Sequence, residues 1–276
     1  MIALEAKNIR FFYNTAPVIE DVSLSLNQGD FVGIIGPNGA GKSTMLRLLS
    51  GILKPKTGMV RLFGTDMSTQ SHKTIARQVA FVPQETHFAL NFNVEEIVSM
   101  GRYPYQHPFH REDQEDRSAV GKALKVTHAT ELRTRKINSL SSGERQLVVV
   151  ARSLAQSPKI LLLDEPTSHL DLYHQHAIME LLKTLNKDGM AIAVVHHDLN
   201  LASLYCQHLI LMHRGKVYAE GEPNDLLNKR TLNDVYGTEV TIVRHPEKNV
   251  PQVFLHTRGD HEGNNEDNQP VNKWCR

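Results

Sequence analysis

The sequence has little that would mark it as secreted, nucleic-acid-binding or membrane-spanning. Two cysteines, Cys206 and Cys275, stand 69 positions apart without CxxC spacing. That excludes a zinc ribbon and a disulfide framework and points to a reducing compartment. Basic and acidic side chains nearly cancel, at a net +1, and form no basic stripe, so nucleic acid is not an expected partner. The longest apolar runs, such as Leu147–Val150 and Ile160–Leu163, fall far short of the ~20 residues that span a bilayer. The amino-terminal MIALEAKNIRFFY carries acidic residues and no apolar core, unlike a signal peptide. Any membrane role is expected to come through a partner. No internal repeat is present, and none of the histidines, His107 and His110 included, has metal-ligand spacing.

What is there is a chain of 276 residues with 40% apolar side chains, enough to bury a sizeable core. The first 30 or so positions alternate apolar and polar side chains, as antiparallel strands do. Phe31–Ile35 is continuously apolar, as a strand covered on both faces should be. It runs into a glycine-rich turn and a helical pattern over Thr44–Ser50. Further strand patterns occur at Val60–Phe63 and Val79–Val82. Helical spacing dominates from about 86 to 158, with a charged stretch at His110–Arg117, and reads as an inserted subdomain. Strand patterns return at Ile160–Leu163 and Ala191–Val195, each followed by a polar turn and a helix, the rhythm of a parallel α/β core. Residues 258–276 are polar and are expected to be a disordered tail.

Three motifs carry chemistry. Gly36-Pro37-Asn38-Gly39-Ala40-Gly41-Lys42-Ser43-Thr44 fits G-x-x-x-x-G-K-[ST] between a strand and a helix. Glycines let the backbone close around phosphate, the helix N-terminus presents N–H groups, Lys42 adds charge, and the Ser43 hydroxyl is a hard donor suited to Mg²⁺. Ile160-Leu161-Leu162-Leu163 ends in Asp164 and Glu165. Asp164 is placed to hold Mg²⁺, and Glu165 to polarise an attacking water as a general base. Leu140-Ser141-Ser142-Gly143-Glu144-Arg145-Gln146 opens a helix, with Ser141 and Glu144 spaced as a capping box. As a helix N-terminus rich in small residues it is a candidate anion site.

Here the chain resembles the ABC ATPase family, whose signature reads LSGGQ or LSGGE. The resemblance covers about Ile2–Val243, with the other motifs in order. It implies that Tyr13 stacks on adenine, that Gln84 is the Q-loop contact to Mg²⁺ and to the membrane partner, and that Ser168–Asp171 is the D-loop. It also implies that His197 is the switch histidine; the choice between it and His196 rests on this alignment. The implied architecture over residues 1–257 is a P-loop α/β core with an antiparallel β subdomain and an inserted helical subdomain. The implied cofactors are ATP and Mg²⁺, and the implied assembly is a homodimer on the cytoplasmic face of the inner membrane, bound to a polytopic permease with a substrate-binding protein. In the dimer, Ser141, Ser142, Gly143, Glu144 and Asp171 of one copy face the nucleotide on the phosphate loop of the other. Ser142 stands where the family commonly has glycine, and at a position needing positive φ serine would be strained.

The run Met100-Gly101-Arg102-Tyr103-Pro104-Tyr105, with Asp234–Gly237 and the strand pattern Val240–Val243, resembles ATPases of metal-chelate importers (iron–siderophore, haem, cobalamin). Arg102, Tyr103 and Tyr105 then become candidates for touching the permease. An exporter ATPase shares every nucleotide motif and is separated only by this run. A soluble ABC protein on ribosomes or nucleic acid is disfavoured by the single cassette and the absence of heptads. A kinase would lack the LSSGE helix, and a GTPase would need an N-K-x-D loop, which does not occur.

Overall fold

The computed structural model describes residues 1–86, 88, 90–106 and 113–256. The expected disordered tail, His107, and residues 110–112 of the charged stretch lie outside those residues. The chain opens with strands β1 (Ile2–Tyr13), β2 (Ala16–Asn27) and β3 (Phe31–Ile35), then helix α1 (Lys42–Leu49). Next come β4 (Thr57–Leu62), β5 (Thr65–Asp66), α2 (His72–Ala76) and β6 (Val79–Val82). Three helices follow, α3 (Val94–Ser99), α4 (Gln114–Val126) and α5 (Ser142–Ala155). The chain then alternates through β7 (Ile160–Asp164), α6 (Leu172–Lys187), β8 (Ala191–Val195) and α7 (Leu199–Tyr205). It continues with β9 (His208–His213), β10 (Lys216–Gly221), α8 (Pro223–Leu226), α9 (Lys229–Tyr236), β11 (Val240–Arg244) and β12 (Pro251–Leu255).

Among the described residues three sheets result. The alternation in β1 and β2 buries Leu4, Ala6, Ile9 and Phe11 beside Ile19, Val22, Leu24 and Leu26, on one face of an antiparallel sheet ordered β2-β1-β4-β5. The central sheet runs β10-β9-β3-β8-β7-β6. Its strands are parallel except β10, which returns antiparallel on β9. β11 and β12 form a separate hairpin.

The continuous apolar runs are explained by two cores, one on each face of the central sheet. Val32, Ile34, Ile160 and Leu162 face the antiparallel sheet and α1. Phe31, Ile35, Leu161 and Leu163 face α6, α7 and α9. Successive strand residues point to opposite faces, so Asp164, in phase with Ile160 and Leu162, emerges on the α1 side. A third core joins α3, α4 and α5 through Val94, Ile97, Val120, Leu124, Val148 and Ala151. Helix α5 therefore buries two stripes, Val149 and Val150 reaching the sheet while Val148 and Ala151 serve the helical cluster.

Two expectations need correction. Arg102 is internal rather than a surface contact. It is 3% exposed, its Nε donates to Asp116 Oδ1 (2.7 Å), its Nη1 donates to the Ala155 carbonyl (3.0 Å), and its guanidinium lies 3.8 Å from the Tyr105 ring centroid. A charge in that position is buried because a carboxylate, a carbonyl and a ring face receive it. The strain expected at Ser142 is also absent. Ser142 is the first residue of α5 and is not among the residues at positive φ.

Candidate functional site

The phosphate-binding turn joins the carboxyl end of β3 to α1, near the middle of the central sheet, where ligands of open α/β sheets bind. Its glycines have specific reasons. Gly36 sits at φ 142, and a Cβ there would lie 2.1 Å from the Met212 carbonyl oxygen. Gly41 sits at φ 100, and a Cβ would meet the Ile19 side chain at 2.7 Å and the Val18 carbonyl at 2.9 Å. Lys42 is 5% exposed and folds back so that Nζ donates to the carbonyls of Gly36 (2.7 Å) and Pro37 (2.9 Å). Burial lowers its ammonium pKa, an effect opposed by the charges of Glu165 and Asp164.

Across the turn, the Ser43 hydroxyl donates to Asp164 Oδ1 (2.9 Å). Burial pushes the Asp164 carboxyl up, the Ser43 bond pulls it down, and the Glu165 charge adds to the rise. Glu165, 7% exposed, leaves the strand at φ 51, a left-handed conformation that costs about 1 kcal/mol or more in a non-glycine residue. Its carboxylate is held by three groups. Gln84 Nε2 and the Ser168 hydroxyl donate to Oε2 (2.8 and 3.0 Å), and His197 Nε2 lies 2.5 Å from Oε1. The two adjacent histidines differ sharply. His197 is half-exposed on Glu165. His196 is 1% exposed, burial pushes its pKa down to about 4, and its Nε2 has no hydrogen-bond partner among the described residues.

A cleft of about 400 Å³ brings together residues 38–44, Gln84, Glu165 and His197. Gly36 and Pro37 adjoin it through the Lys42 bonds, and Asp164 through Ser43. The donors that could hold Mg²⁺ are hard oxygens: the Ser43 hydroxyl, the Asp164 carboxylate and the Gln84 amide oxygen, whose nitrogen is engaged with Glu165. Among the described residues no cluster of three His, Cys, Asp or Glu side chains forms a metal cage. A single carboxylate fits Mg²⁺, which usually retains waters and shares itself with substrate phosphates. Val18 also lines the cleft, and nothing in its residue type would have marked it. Ser168 was legible only as part of a resemblance. Its bond to Glu165 depends on the turn three residues later.

The remaining predicted residues stand apart from this cleft. Tyr13 ends β1, is 46% exposed and packs edge-to-face on Phe11 at 4.9 Å. Ser141 caps α5. Its hydroxyl accepts from Glu144 N (3.2 Å), and Glu144 Oε2 accepts from Ser141 N (2.8 Å), completing the capping box. Those bonds, led by the Ser141 N–H, hold the Glu144 carboxyl below its usual range. Gly143 is helical, so its requirement for glycine is one of space. A Cβ would sit 2.1 Å from the His174 ring. Asp171 caps α6, accepting from His174 N (2.8 Å).

A second concavity, of about 910 Å³, lies between the helical cluster and β6, lined by Phe81, Glu95, Met100, Tyr103, Arg152 and Gln156 among others. Tyr103 is 66% exposed here, with Lys73 Nζ 5.3 Å from its ring centroid. Tyr105 is half-buried, its hydroxyl donating to the Gln156 carbonyl (2.9 Å). No helix among the described residues is long and apolar enough to cross a membrane.

Residues 19–168 match the protein family described as ABC transporter. The chain is 40% identical over 256 residues to the hemin import ATP-binding protein HmuV of Pseudomonas entomophila, covering 91% of this chain and 99% of that protein. It is 38% identical over 251 residues to the ferric enterobactin transport ATP-binding protein FepC of Escherichia coli, covering 91% and 93%. It is also 38% identical to the Bacillus subtilis ABC transporter ATP-binding protein YvrA, spanning only 59% of that longer chain. Among solved structures, one described as a metal-chelate type ABC transporter in an inward-facing conformation superposes with a TM-score of 0.82 at 29% identity, over 94% of this chain and 99% of that one.

Proposed function

Because this chain belongs to the ABC transporter family as an ATP-binding, ATP-hydrolysing subunit, we propose that it drives import of a metal chelate, such as haem or an iron–siderophore complex, through a membrane permease. The observation that carries the cargo class is the pair of likenesses to HmuV and FepC over nearly the whole chain, supported by the metal-chelate transporter neighbour. The subunit sits peripherally at the cytoplasmic face of the membrane and acts as a homodimer.

ATP occupies the cleft with its phosphates over the N–H groups of the Gly36–Ser43 turn. Lys42 already lies under the turn, and releasing the Gly36 and Pro37 carbonyls lets its Nζ meet phosphate oxygens. Mg²⁺, when bound, neutralises phosphate charge, with Ser43, Asp164 and Gln84 as its protein oxygens. Glu165 is the general base. A carboxylate accepting from three donors is a poor base, so hydrolysis requires at least one of Gln84, Ser168 and His197 to let go. His197, half-exposed, is free to turn from Glu165 to the γ phosphate. The signature segment Ser141–Glu144 lies outside its own cleft, and the partner copy supplies it, with Asp171 nearby. The γ phosphate thus bridges two chains, and its loss on hydrolysis separates them. The concavity beside Tyr103 receives a cytoplasmic segment of the permease. Phe81 of β6 lines that concavity and Gln84, two residues past the strand, holds the base, so β6 runs from the docking surface to Glu165.

The test is co-purification of the tagged chain from native membranes in mild detergent. A many-helix permease should accompany it, and haem or ferric siderophores with their binding protein should stimulate ATP turnover in that complex. Recovery of the chain alone from a membrane-free fraction would overturn the importer reading.

A further inference from the structure

We infer that His174 is a positioning residue that sets the signature segment of α5 against the loop carrying Glu165. It does so by being held through Nδ1 by Asp171 while the same part of its ring is pressed against Gly143. This rests on the reading above in one respect only, that the signature of each copy serves the other copy's nucleotide.

Three contacts meet at this ring. Its Nδ1 lies 2.9 Å from Asp171 Oδ1, the same oxygen that accepts from the His174 backbone N–H. A carboxylate can only accept, so Nδ1 carries the hydrogen and the ring orientation is fixed. The Tyr173 ring packs edge-on at 5.2 Å. The Cδ2–Cγ–Nδ1 part of the imidazole fills the space over Gly143, where even a methyl group would lie 2.1 Å from Cγ and Cδ2 and 2.6 Å from Nδ1. The side chain is four-fifths buried, although it sits in the first turn of a helix whose neighbours Leu172 and Tyr173 are largely exposed.

The connections make this contact matter for the reaction. Asp171 is six residues from Glu165, and the turn between them is tied back by the Ser168 hydroxyl on the Glu165 carboxylate. Gly143 is two residues from Ser141, whose cap geometry aims the first N–H groups of α5. A shift of the signature of one copy is therefore transmitted through one imidazole to the base of that same copy. In the pair, this joins the two nucleotide sites. A glycine in the signature is required because the histidine occupies its side-chain space, since the backbone there is ordinary helix.

The experiment measures ATP turnover against chain concentration for wild type, His174→Asn, His174→Phe and His174→Ala, with affinity for a fluorescent ATP analogue and melting temperature recorded for each. Asparagine keeps a donor for Asp171, phenylalanine keeps the ring without the donor, and alanine keeps neither. The expected order at saturating chain concentration is wild type, then Asn, then Phe and Ala. Phe and Ala should fall roughly ten- to hundredfold, as lost positioning does, while analogue affinity stays within about twofold because the phosphate loop is untouched. Equal turnover in all four, or Phe equal to wild type, would overturn the proposal. The dependence on paired copies is read separately. A wild-type rate that rises more steeply than chain concentration supports the pair, whereas a strictly proportional rate refutes the pair and leaves the comparison among variants to decide the role of His174.

Discussion

Replacing Arg102 by alanine should destabilise the protein before it affects nucleotide chemistry. Arg102 and Asp116 are 3% and 2% exposed and 2.7 Å apart, so the pair is buried in full. Removing one member of a buried ion pair costs about 3–5 kcal/mol, because the remaining charge keeps its desolvation penalty. The lost stacking on Tyr105 adds roughly 1 kcal/mol. In a chain of this size each 1 kcal/mol moves the melting temperature by about 2–4 °C, so a fall of roughly 10–20 °C is expected. The double replacement Arg102→Met with Asp116→Leu removes both charges and should recover most of it. Thermal unfolding followed by circular dichroism reads both. Transport by Arg102→Ala should fall only as far as folded protein is lost, whereas Tyr103→Ala should keep its melting temperature and lose permease-stimulated turnover. An Arg102→Ala protein that melts within about 1 °C of wild type, on the same scale, would refute the buried-pair reasoning.

Gly143→Ala forces the His174 ring to move. It should cost about 1–3 kcal/mol as overpacking does, with His174→Ala in the same chain relieving it in urea titrations. His196 gives a pH dependence. Its unfolded value is 6.5 and burial takes it to about 4 in the fold, partly offset by Asp198. The unfolded chain then binds a proton that the folded chain refuses. Stability is full above pH 6.5 and drains as pH falls towards 4, by about 3 kcal/mol, and His196→Gln should flatten that slope in urea midpoints measured across the range.

The elements legible in the sequence are those whose local pattern and tertiary setting agree. Phe31–Ile35 and Ile160–Leu163 read as doubly buried strands because both sheet faces are covered, and the Ser141–Glu144 box is a contact within one turn. The site's loop and carboxylates were legible for the same reason, being carried at strand ends. What escaped depends on pairings distant in sequence. Gln84 and Glu165 are 81 residues apart, and Arg102 finds Asp116 only once α4 folds over it. Strands β9 and β10 were not read, although β9 is almost wholly buried. The need for glycine at 143 is spatial, set by a ring in another helix, and leaves no mark in the local sequence.

On the proposed cycle, ATP joins two copies and Glu165 ends that state. The direct measurement is size-exclusion chromatography with light scattering on Glu165→Gln, in ATP with Mg²⁺ and in ADP with Mg²⁺. The expected result is a dimer in ATP, a monomer in ADP, and almost no phosphate release. A monomer in ATP, or turnover near that of the wild-type chain, would contradict it.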